Sequence, residues 1–391
     1  MGKSPRTAIR FIVLLGIVSL FADMTYEGAR SVSGPYLAIL GASGTAVGVV
    51  AGLGELVGYG LRLVSGRAAD RTGRYWTFTM VGYGVNLFAV PLLALVGSWE
   101  MATALLIAER MGKAIRTPAR DAMLSHAGSD VGRGWAFGVH EALDQGGAVI
   151  GPLLVAVILY FRGGYREGFA VLLIPAILSL GVLVAAWRLY PRPRDLERDF
   201  GAADLPGFPR VFWLYLAAVS LIAAAFVDFP LIAYHFGKMA VVPPIWIPVS
   251  YSIAMGVAAL SALVFGRLFD RRGVIVLVVA TLLSMLSTPL VFWGGFTTSL
   301  LGMALWGVGM GTHESVMRAA VAELVSPDRR GSAYGVFNTG YGIAWFLGSA
   351  LMGFLYDVSI NSLIAFSIVA QIAALPVFLL VAKRLPPLRR E

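Results

Sequence analysis

The sequence is poor in charge and contains no cysteine. Asp, Glu, Lys and Arg make up 14% of its 391 residues, whereas 58% are hydrophobic. A water-soluble domain carries about 25% charged residues, so the composition excludes that class and favours a membrane protein. The absence of cysteine excludes disulfides, thiolate-bound haem and cysteine metal sites.

Nucleotide and zinc motifs are also missing. The chain has no G-x-x-x-x-G-K-[ST] phosphate loop, and the His-Glu pairs at 140–141 and 313–314 lack the second histidine of a zinc-binding helix. We therefore expect neither ATP-driven transport nor an enzyme, and no cofactor. A gradient of protons or of another ion is the expected source of energy.

Apolar runs of membrane-spanning length recur along the whole chain. A bilayer core of about 30 Å needs about 20 apolar residues in a helix, and the alternation typical of barrel strands is absent. The sequence therefore predicts an all-α polytopic membrane protein, with the first run retained as a helix rather than cleaved as a signal peptide. The predicted spans are 8–30, 43–65, 76–97, 100–123, 134–161, 168–190, 210–236, 245–266, 274–293, 298–324, 332–357 and 360–382.

The net charge of +9 is unevenly distributed between the predicted loops. Most basic residues, among them Arg67, Arg71, Arg116 and Arg120, fall in or beside segments that lie on one side if the N-terminus is inside. This asymmetry predicts that both termini are cytoplasmic, in the plasma (inner) membrane of a bacterium or archaeon. The positive charge is thus a topology signal, and we expect the lipid bilayer as a partner and no nucleic acid.

The longest polar interval, 191–209, is rich in proline, glycine and charge. It predicts a cytoplasmic linker between an N-terminal six-helix bundle, 1–190, and a C-terminal six-helix bundle, 210–391. The two halves also echo each other. SGRAADRTGR at 65–74 is matched by FGRLFDRRG at 265–273, and RGWAFGVH at 133–140 by RGSAYGVF at 330–337. Parallel repeats of this kind are typical of transporters, and one chain that holds both halves is expected to work as a monomer.

At these motifs the chain resembles the major facilitator superfamily, and the resemblance covers nearly all of it. Residues 66–74 match the signature of the loop between helices 2 and 3 in that family, G-x-x-x-D-R-x-G-R. The resemblance implies a fold of twelve transmembrane helices in two pseudo-symmetric bundles. It also implies a gating role for this loop and its counterpart, through Gly66, Asp70, Arg71, Gly73, Arg74, Gly266, Asp270 and Arg271.

Helix 5 resembles the corresponding helix of the proton-coupled drug and small-molecule antiporters of that family. The resemblance lies in the spacing of Gly138, Gly147, Gly151 and Pro152. Glycines at such spacing allow two helices to approach closely, and proline bends a helix. Arg110 likewise resembles the helix-4 arginine of the family. These matches imply efflux by a proton-coupled antiporter.

Charged residues within the predicted spans fall on certain helices only. The interiors of helices 3, 6, 9 and 12 have none. An unpaired Arg, Lys or Asp at mid-membrane costs about 2.5–3.5 kcal/mol, so such residues face a bundle interior and mark function. We therefore expect helices 3, 6, 9 and 12 at the periphery and the charged helices around a central, water-accessible cavity.

The charged residues of the N-terminal half supply candidates for proton coupling. A carboxylate that alternates between pairing with a cation and binding a proton can couple proton flow to substrate movement. The proton-coupling candidates are Asp23, Glu27, Glu141 and Asp144. The other predicted cavity residues are Tyr26, Arg110, Lys113 and His140 in this half, and Asp228, His313, Glu314, Asn338 and Tyr341 in the C-terminal half.

These features predict a secondary active transporter that works by alternating access. The first hypothesis is proton-coupled export of a small organic molecule. The alternative is a metal-ion or other inorganic-ion carrier of the same fold, with Asp23, Asp228 and His313 as metal ligands. A membrane receptor or scaffold that transports nothing is the third reading of the same features.

Overall fold

The computed structural model describes residues 5–127, 133–191, 208–325 and 330–384. Most of the predicted linker, 191–209, therefore lies outside the described residues. So do the side chains of several residues within helices, among them Asp270, Glu314 and Arg318.

The described ranges are helical almost throughout and contain no strand. The prediction of an all-α polytopic membrane protein is confirmed. The helices are α1 (Pro5–Ile39), α2 (Gly44–Thr72), α3 (Tyr75–Leu92), α4 (Trp99–Ala127), α5 (Arg133–Arg162), α6 (Tyr165–Val171), α7 (Leu173–Leu189), α8 (Arg210–Ala225), α9 (Phe229–Lys238), α10 (Trp246–Arg272), α11 (Ile275–Ser284), α12 (Ser287–Phe292), α13 (Phe296–Leu324), α14 (Arg330–Val358) and α15 (Ile360–Arg384), with a short 3₁₀ turn at Leu93–Leu95 after α3.

Helices dominate because a chain inside lipid must satisfy its backbone polar groups within itself. Within the described ranges, ten helical spans are long and apolar enough to cross a membrane. The two remaining predicted spans are α4 and α13, each 29 residues long. Three of the predicted spans are each built from two helices, namely α6 with α7, α8 with α9, and α11 with α12.

The structure divides into two compact units. Unit 1 comprises Met1–Val32 and Val57–Gly201, and unit 2 comprises Ser33–Leu56 and Ala202–Glu391. The core of unit 1 is built around fully buried side chains such as Phe11, Leu87 and Met123. On α3 the opposite stripe, which includes Val81, Val85 and Phe88, is exposed. A helix with one apolar stripe buried and another exposed suits a bundle surrounded by lipid.

In unit 2 the first residues of α2 pack against the end of α14. A Cβ at Gly48 would overlap the carbonyl of Ser349 and crowd Gly353, so glycine is needed for the helices to meet. The carboxylate of Asp357 accepts hydrogen bonds from the backbone of Gly44 (3.0 Å) and Thr45 (2.7 Å) and from the Thr45 hydroxyl (2.7 Å). It thereby satisfies amide groups that the start of a helix leaves open.

The internal repeat is visible in the backbone. The turn from α2 to α3 and the turn from α10 to α11 each contain a glycine in the left-handed region, Gly73 at φ +67° and Gly273 at φ +63°. Each glycine N–H closes the preceding helix, onto Ala69 and Phe269 respectively. The second echo marks two helix starts, since α5 begins at Arg133 and α14 at Arg330. The two sequence echoes thus occupy equivalent structural positions.

Candidate functional site

A polar cluster lies inside unit 1, where α1, α3, α4 and α5 meet. From α1 it receives Asp23, Tyr26, Glu27 and Arg30, all of which are buried. Their spacing places them along one face of the helix. Arg30 donates from Nη1 to the Tyr26 hydroxyl at 2.8 Å. The predicted α1 residues are therefore brought together within the bundle rather than left facing lipid.

Arg116 of α4 pairs with Asp23 in this cluster. The guanidinium is completely buried, and its Nη2 lies 3.8 Å from Asp23 Oδ1. Its Cζ stands over the Tyr83 ring, 4.2 Å from the centroid. None of its three side-chain nitrogens has a hydrogen-bond partner among the described residues. Arg116, which the charge distribution grouped with the basic residues of the cytoplasmic side, therefore lies inside the bundle against a carboxylate.

Arg120 follows one turn later and joins α4 to α1. It donates from Nη1 to Ser19 Oγ at 3.2 Å, and its Nη2 pairs with Asp121 Oδ1 at 2.8 Å. The same Ser19 hydroxyl lies 2.7 Å from His140 Nε2 of α5. His140 is buried, so Ser19 connects the predicted histidine on α5 to a cation on α4.

The two acids predicted on α5 have different surroundings. Asp144 is half-buried, and its Oδ1 has no hydrogen-bond partner among the described residues. The charged side chains near enough to act on it are Asp23, Arg120, Glu141 and Lys113. Glu141 is exposed and accepts a hydrogen bond from Gln145 of its own helix at 3.1 Å. The structure thus groups Asp144, but not Glu141, with the acids of α1.

Several cationic side chains lie against Tyr26. Lys113 Nζ lies 3.8 Å from the centroid of its ring, and Arg110 Cζ lies 4.9 Å from it. Arg110 Nε is 3.6 Å from Glu109 Oε2. Glu109 Oε1 in turn accepts a hydrogen bond from Asn86 Nδ2 of α3 at 2.5 Å. Arg110 and Lys113, two of the predicted cavity residues, therefore lie against the Tyr26 ring of α1.

Glycines on α5 bring that helix close to α1. A Cβ at Gly147 would overlap the carbonyl of Leu20, and one at Gly151 would overlap the carbonyl of Met24. Gly138 differs, since a Cβ placed there would meet nothing within 4 Å. The predicted packing role is wrong for Gly138, which lies on an exposed part of the helix. Pro152 is buried within α5, which continues past it to Arg162.

The helices of unit 2 enclose a second polar position, at a break between α8 and α9. Asp228 is buried there, and its Oδ2 accepts hydrogen bonds from Trp345 Nε1 (2.7 Å) and Ser349 Oγ (2.9 Å) of α14. The carbonyl of Val227 accepts a hydrogen bond from Trp306 Nε1 of α13 at 2.8 Å. Pro230 in the first turn of α9 suits a helix start.

Aromatic rings surround His313, which is buried in α13. Its ring centroid lies 4.6 Å from that of Phe226, and its Nδ1 lies 3.5 Å from the Tyr341 hydroxyl. Asn338 is half-buried on α14. His235 of α9 is buried as well, with Nδ1 3.1 Å from the Tyr356 hydroxyl.

No group of three or more His, Asp or Glu side chains among the described residues is placed to hold a metal ion. The described part of the chain thus gives the predicted set Asp23, Asp228 and His313 no support as a metal site. The side chain of Glu314, next to His313, is outside that part.

The predicted gating loops contain turns and exposed charges. A Cβ at Gly66 would lie 3.3 Å from Pro118 of α4, so this glycine permits close packing, whereas Gly266 has open space around it. The Tyr75 hydroxyl donates to Asp70 Oδ1 at 3.1 Å. Arg71, Arg74 and Arg271 are exposed, and the side chain of Asp270 lies outside the described residues.

Sequence reasoning missed Arg116 and Arg120 as members of the cluster, together with Ser19, Tyr83 and Asn86. The signal for the two arginines was the spacing of charge along α4. Glu109, Lys113, Arg116 and Arg120 recur every three or four residues and therefore share one helix face. The hydroxyl and amide side chains gave no comparable signal, because Ser, Tyr and Asn occur throughout membrane helices.

These features define a polytopic α-helical membrane protein with ionisable groups sheltered inside a helix bundle. A sequence model of the Major Facilitator Superfamily matches residues 15–349 and 231–391. The chain belongs to the Major Facilitator Superfamily. Membership identifies a transporter rather than an enzyme, and its fold is the family's twelve transmembrane helices in two six-helix bundles.

Relatives and solved structures agree with this membership. An uncharacterized protein of Mycobacterium tuberculosis is 44% identical over 387 residues, which cover 97% of this chain and 94% of the relative. An uncharacterized MFS-type transporter of Methanocaldococcus jannaschii is 27% identical over 92% of this chain and 91% of its own. A bacterial homologue of the human lysosomal transporter Spinster, solved inward-facing and unoccupied, is similar in fold, with a TM-score of 0.78, 14% identity and 98% of each chain covered.

Proposed function

We propose that the protein exports a small molecule across the plasma membrane, by alternating access and in exchange for protons. The observation that carries this proposal is the buried pair of Arg116 and Asp23, with Asp144 beside it. Arg116 has only a loose ionic contact at 3.8 Å, longer than the 2.7–2.9 Å that is typical of a charge-assisted hydrogen bond. A pair that is buried but loosely joined is suited to open and close.

Proton exchange would work through competition between charges. Asp23 and Asp144 are like charges near each other, and a proton bound to either removes their repulsion. A proton on Asp23 would also release Arg116 from its pair. Each change alters the charge inside the bundle, and therefore alters the relative stability of two conformations that bury the cluster differently. Substrate exchange between these conformations would then be linked to proton exchange.

Topology and assembly complete the proposal. We place both termini in the cytoplasm of a bacterial or archaeal cell because the basic loop residues, including the exposed Arg67, Arg71 and Arg271, fall on one side of the predicted topology. One chain supplies both bundles and is proposed to act as a monomer.

The test separates substrate movement from proton coupling. A ligand-library thermal-shift screen of the detergent-solubilised protein, at about pH 6 and about pH 8, identifies a ligand whose binding is linked to protons. Proteoliposomes then measure counterflow of that ligand and its accumulation against a gradient driven by a pH difference.

We expect Asp144→Asn to retain counterflow and to lose gradient-driven accumulation, because the variant can still change conformation but cannot exchange a proton at this position. Glu100→Gln, which removes an exposed acid at the start of α4, is the matched control and should keep both activities. If Asp144→Asn and Asp23→Asn both accumulate the ligand as the unmodified protein does, the proposed proton site is wrong.

A further inference from the structure

Three cations surround one side chain in unit 1. Arg30 donates to the hydroxyl of Tyr26 at 2.8 Å. Lys113 and Arg110 lie over its ring, at 3.8 Å and 4.9 Å from the centroid. A ring face attracts cations within about 6 Å, so Tyr26 holds the two α4 cations in place. Both come from one face of α4, since they are three residues apart.

Lys113 differs from its neighbours in having no acceptor for its charge. Arg110 pairs with Glu109, and Arg116 pairs with Asp23. In the described part of the chain, no carboxylate lies within ion-pair distance of Lys113 Nζ, and no oxygen accepts a hydrogen bond from it. Glu109 and Asp144 interact with the charge of Lys113 electrostatically, beyond ion-pair distance. An ammonium group has three N–H donors, and a ring face provides no lone pair for them.

A second lysine of the chain that lies over a tyrosine ring provides a comparison. Lys238 of α9 also lies over a tyrosine ring, with its Nζ 5.2 Å from the Tyr234 centroid. Its Nζ also donates a hydrogen bond to the Tyr234 hydroxyl at 3.2 Å. The corresponding hydroxyl of Tyr26 already accepts from Arg30. Lys113 is half-buried, so part of its surface is open to a ligand.

We propose that Lys113, with Arg110 beside it, binds an anionic group of the transported molecule, such as a carboxylate or a phosphate, against the face of Tyr26. This inference rests on the proposed function of the chain as a small-molecule transporter and adds the charge of its substrate. The anion supplies the lone pairs that the ammonium lacks. It also places a negative charge close to Glu109 and Asp144, so substrate and proton would interact through the same cluster.

The experiment measures binding without any gradient. Thermal unfolding of the full-length protein in a neutral detergent is followed with phosphate, sulfate, acetate or benzoate, at constant ionic strength, with benzamide and benzylamine as the uncharged and cationic probes. We expect at least one anion to raise Tm and neither benzamide nor benzylamine to do so. Lys113→Gln should weaken the apparent affinity for that anion about tenfold or more, as expected for the loss of one charge-assisted contact.

Two further variants separate binding from folding. Lys113→Arg keeps the charge and should retain most of the anion-dependent shift, whereas Lys238→Gln removes the comparison lysine and should leave the shift unchanged. If no anion stabilises the protein, or if Lys113→Gln responds as the unmodified protein does, the proposal is overturned. Because no proton gradient is used, either result leaves the proton-coupling test to be decided on its own.

A lipid headgroup offers the same chemistry as a soluble phosphate, and a second arm distinguishes the two sources. The protein and its Lys113→Gln variant are compared in nanodiscs of phosphatidylcholine with and without phosphatidylglycerol. Stabilisation by soluble anions that depends on Lys113 in both kinds of nanodisc supports a transported anion. Stabilisation that depends on Lys113 and comes from phosphatidylglycerol alone overturns the proposal in favour of a lipid site.

Discussion

Arg116 and Asp23 form a buried ion pair. Removing Asp23 would leave a completely buried guanidinium without its partner. Breaking a buried pair from one side typically costs about 3–5 kcal/mol, whereas removing both charges costs far less. The stability of this part of unit 1 therefore depends on the two charges being present together.

We accordingly expect Asp23→Asn and Arg116→Gln each to lower stability by about 3 kcal/mol, and the double variant to lose much less than the sum. The free energy of unfolding in detergent micelles, taken through a double-mutant cycle, measures this coupling. Additive losses in the cycle would show that the two side chains do not stabilise each other.

The sequence predicted the buried acids of α1 but not the cation that faces them. Asp23 and Glu27 stand out because they interrupt an apolar run. Arg116 lies near predicted loop residues of the same charge, and counting charges assigned it to the cytoplasmic side. What decided its position was the helical period of α4, which continues past the charged stretch to Ala127. Contacts between helices, such as Ser19 with His140, cannot be obtained from the period of one helix alone.

The packing of α1 against α5 in unit 1 depends on small residues. Gly151 faces the carbonyl of Met24, and Gly28 of α1 faces the carbonyl of Gly151 in return. These backbone atoms cannot move away from an added Cβ as the end of a flexible side chain can. The approach of these helices positions Asp144 of α5 beside Asp23 of α1, so the packing of the glycines supports the geometry of the charges.

We expect Gly151→Val to destabilise the protein by about 1–3 kcal/mol, the usual range for overpacking. Gly138→Val, on the same helix but with nothing within 4 Å of its added Cβ, should have little effect. Tm in detergent and the fraction that elutes as a single species measure the difference. Equal losses from both variants would attribute the effect to helix propensity rather than to the contact with α1.

Helix boundaries were predicted well where charge or glycine marks them and poorly inside apolar runs. Gly73 and Gly273 correctly placed two turns. The separation of α11 from α12 falls within an apolar run that carries no such marker. At the break between α8 and α9, Pro230 was a signal that the apolar pattern concealed. A break in a membrane helix is stabilised by neighbouring side chains, here Trp306 and Trp345, and these cannot be located from the sequence of the broken helix.

At the scale of the whole molecule, the two-bundle fold was predictable because its sequence motifs occur once in each half of the chain. Echoes of glycine, arginine and aspartate in register indicated a repeat, and the structure gives both copies the same turn geometry. The grouping of Ser33–Leu56 with unit 2 was not predictable in this way. It depends on contacts such as those of Gly44 and Thr45 with Asp357, which are distant in sequence.

These contacts allow alternating access to be tested with a cross-link. On the proposed topology, the start of α2 in the N-terminal bundle and the end of α14 in the C-terminal bundle both lie on the outer side of the membrane. Alternating access between the two bundles would require these ends to separate when the transporter opens outward. The chain has no cysteine, so Thr45→Cys combined with Asp357→Cys can form only one intramolecular disulfide. We expect oxidation to abolish counterflow of the ligand found by screening, and reduction to restore it.

Each single cysteine variant, treated with the same oxidant, is the control and should remain active. Full counterflow in the oxidised double variant would show that transport does not require these ends to part.

The interruption between α8 and α9 also bears on how this half of the molecule can move. A break in a helix can act as a hinge, but at this break both neighbouring residues are hydrogen-bonded to other helices. The Val227 carbonyl accepts a hydrogen bond from Trp306, and the Asp228 carboxylate accepts hydrogen bonds from Trp345 and Ser349. These hydrogen bonds join the bend between α8 and α9 to α13 and α14. We therefore expect α9 to move together with α13 and α14 during a transport cycle.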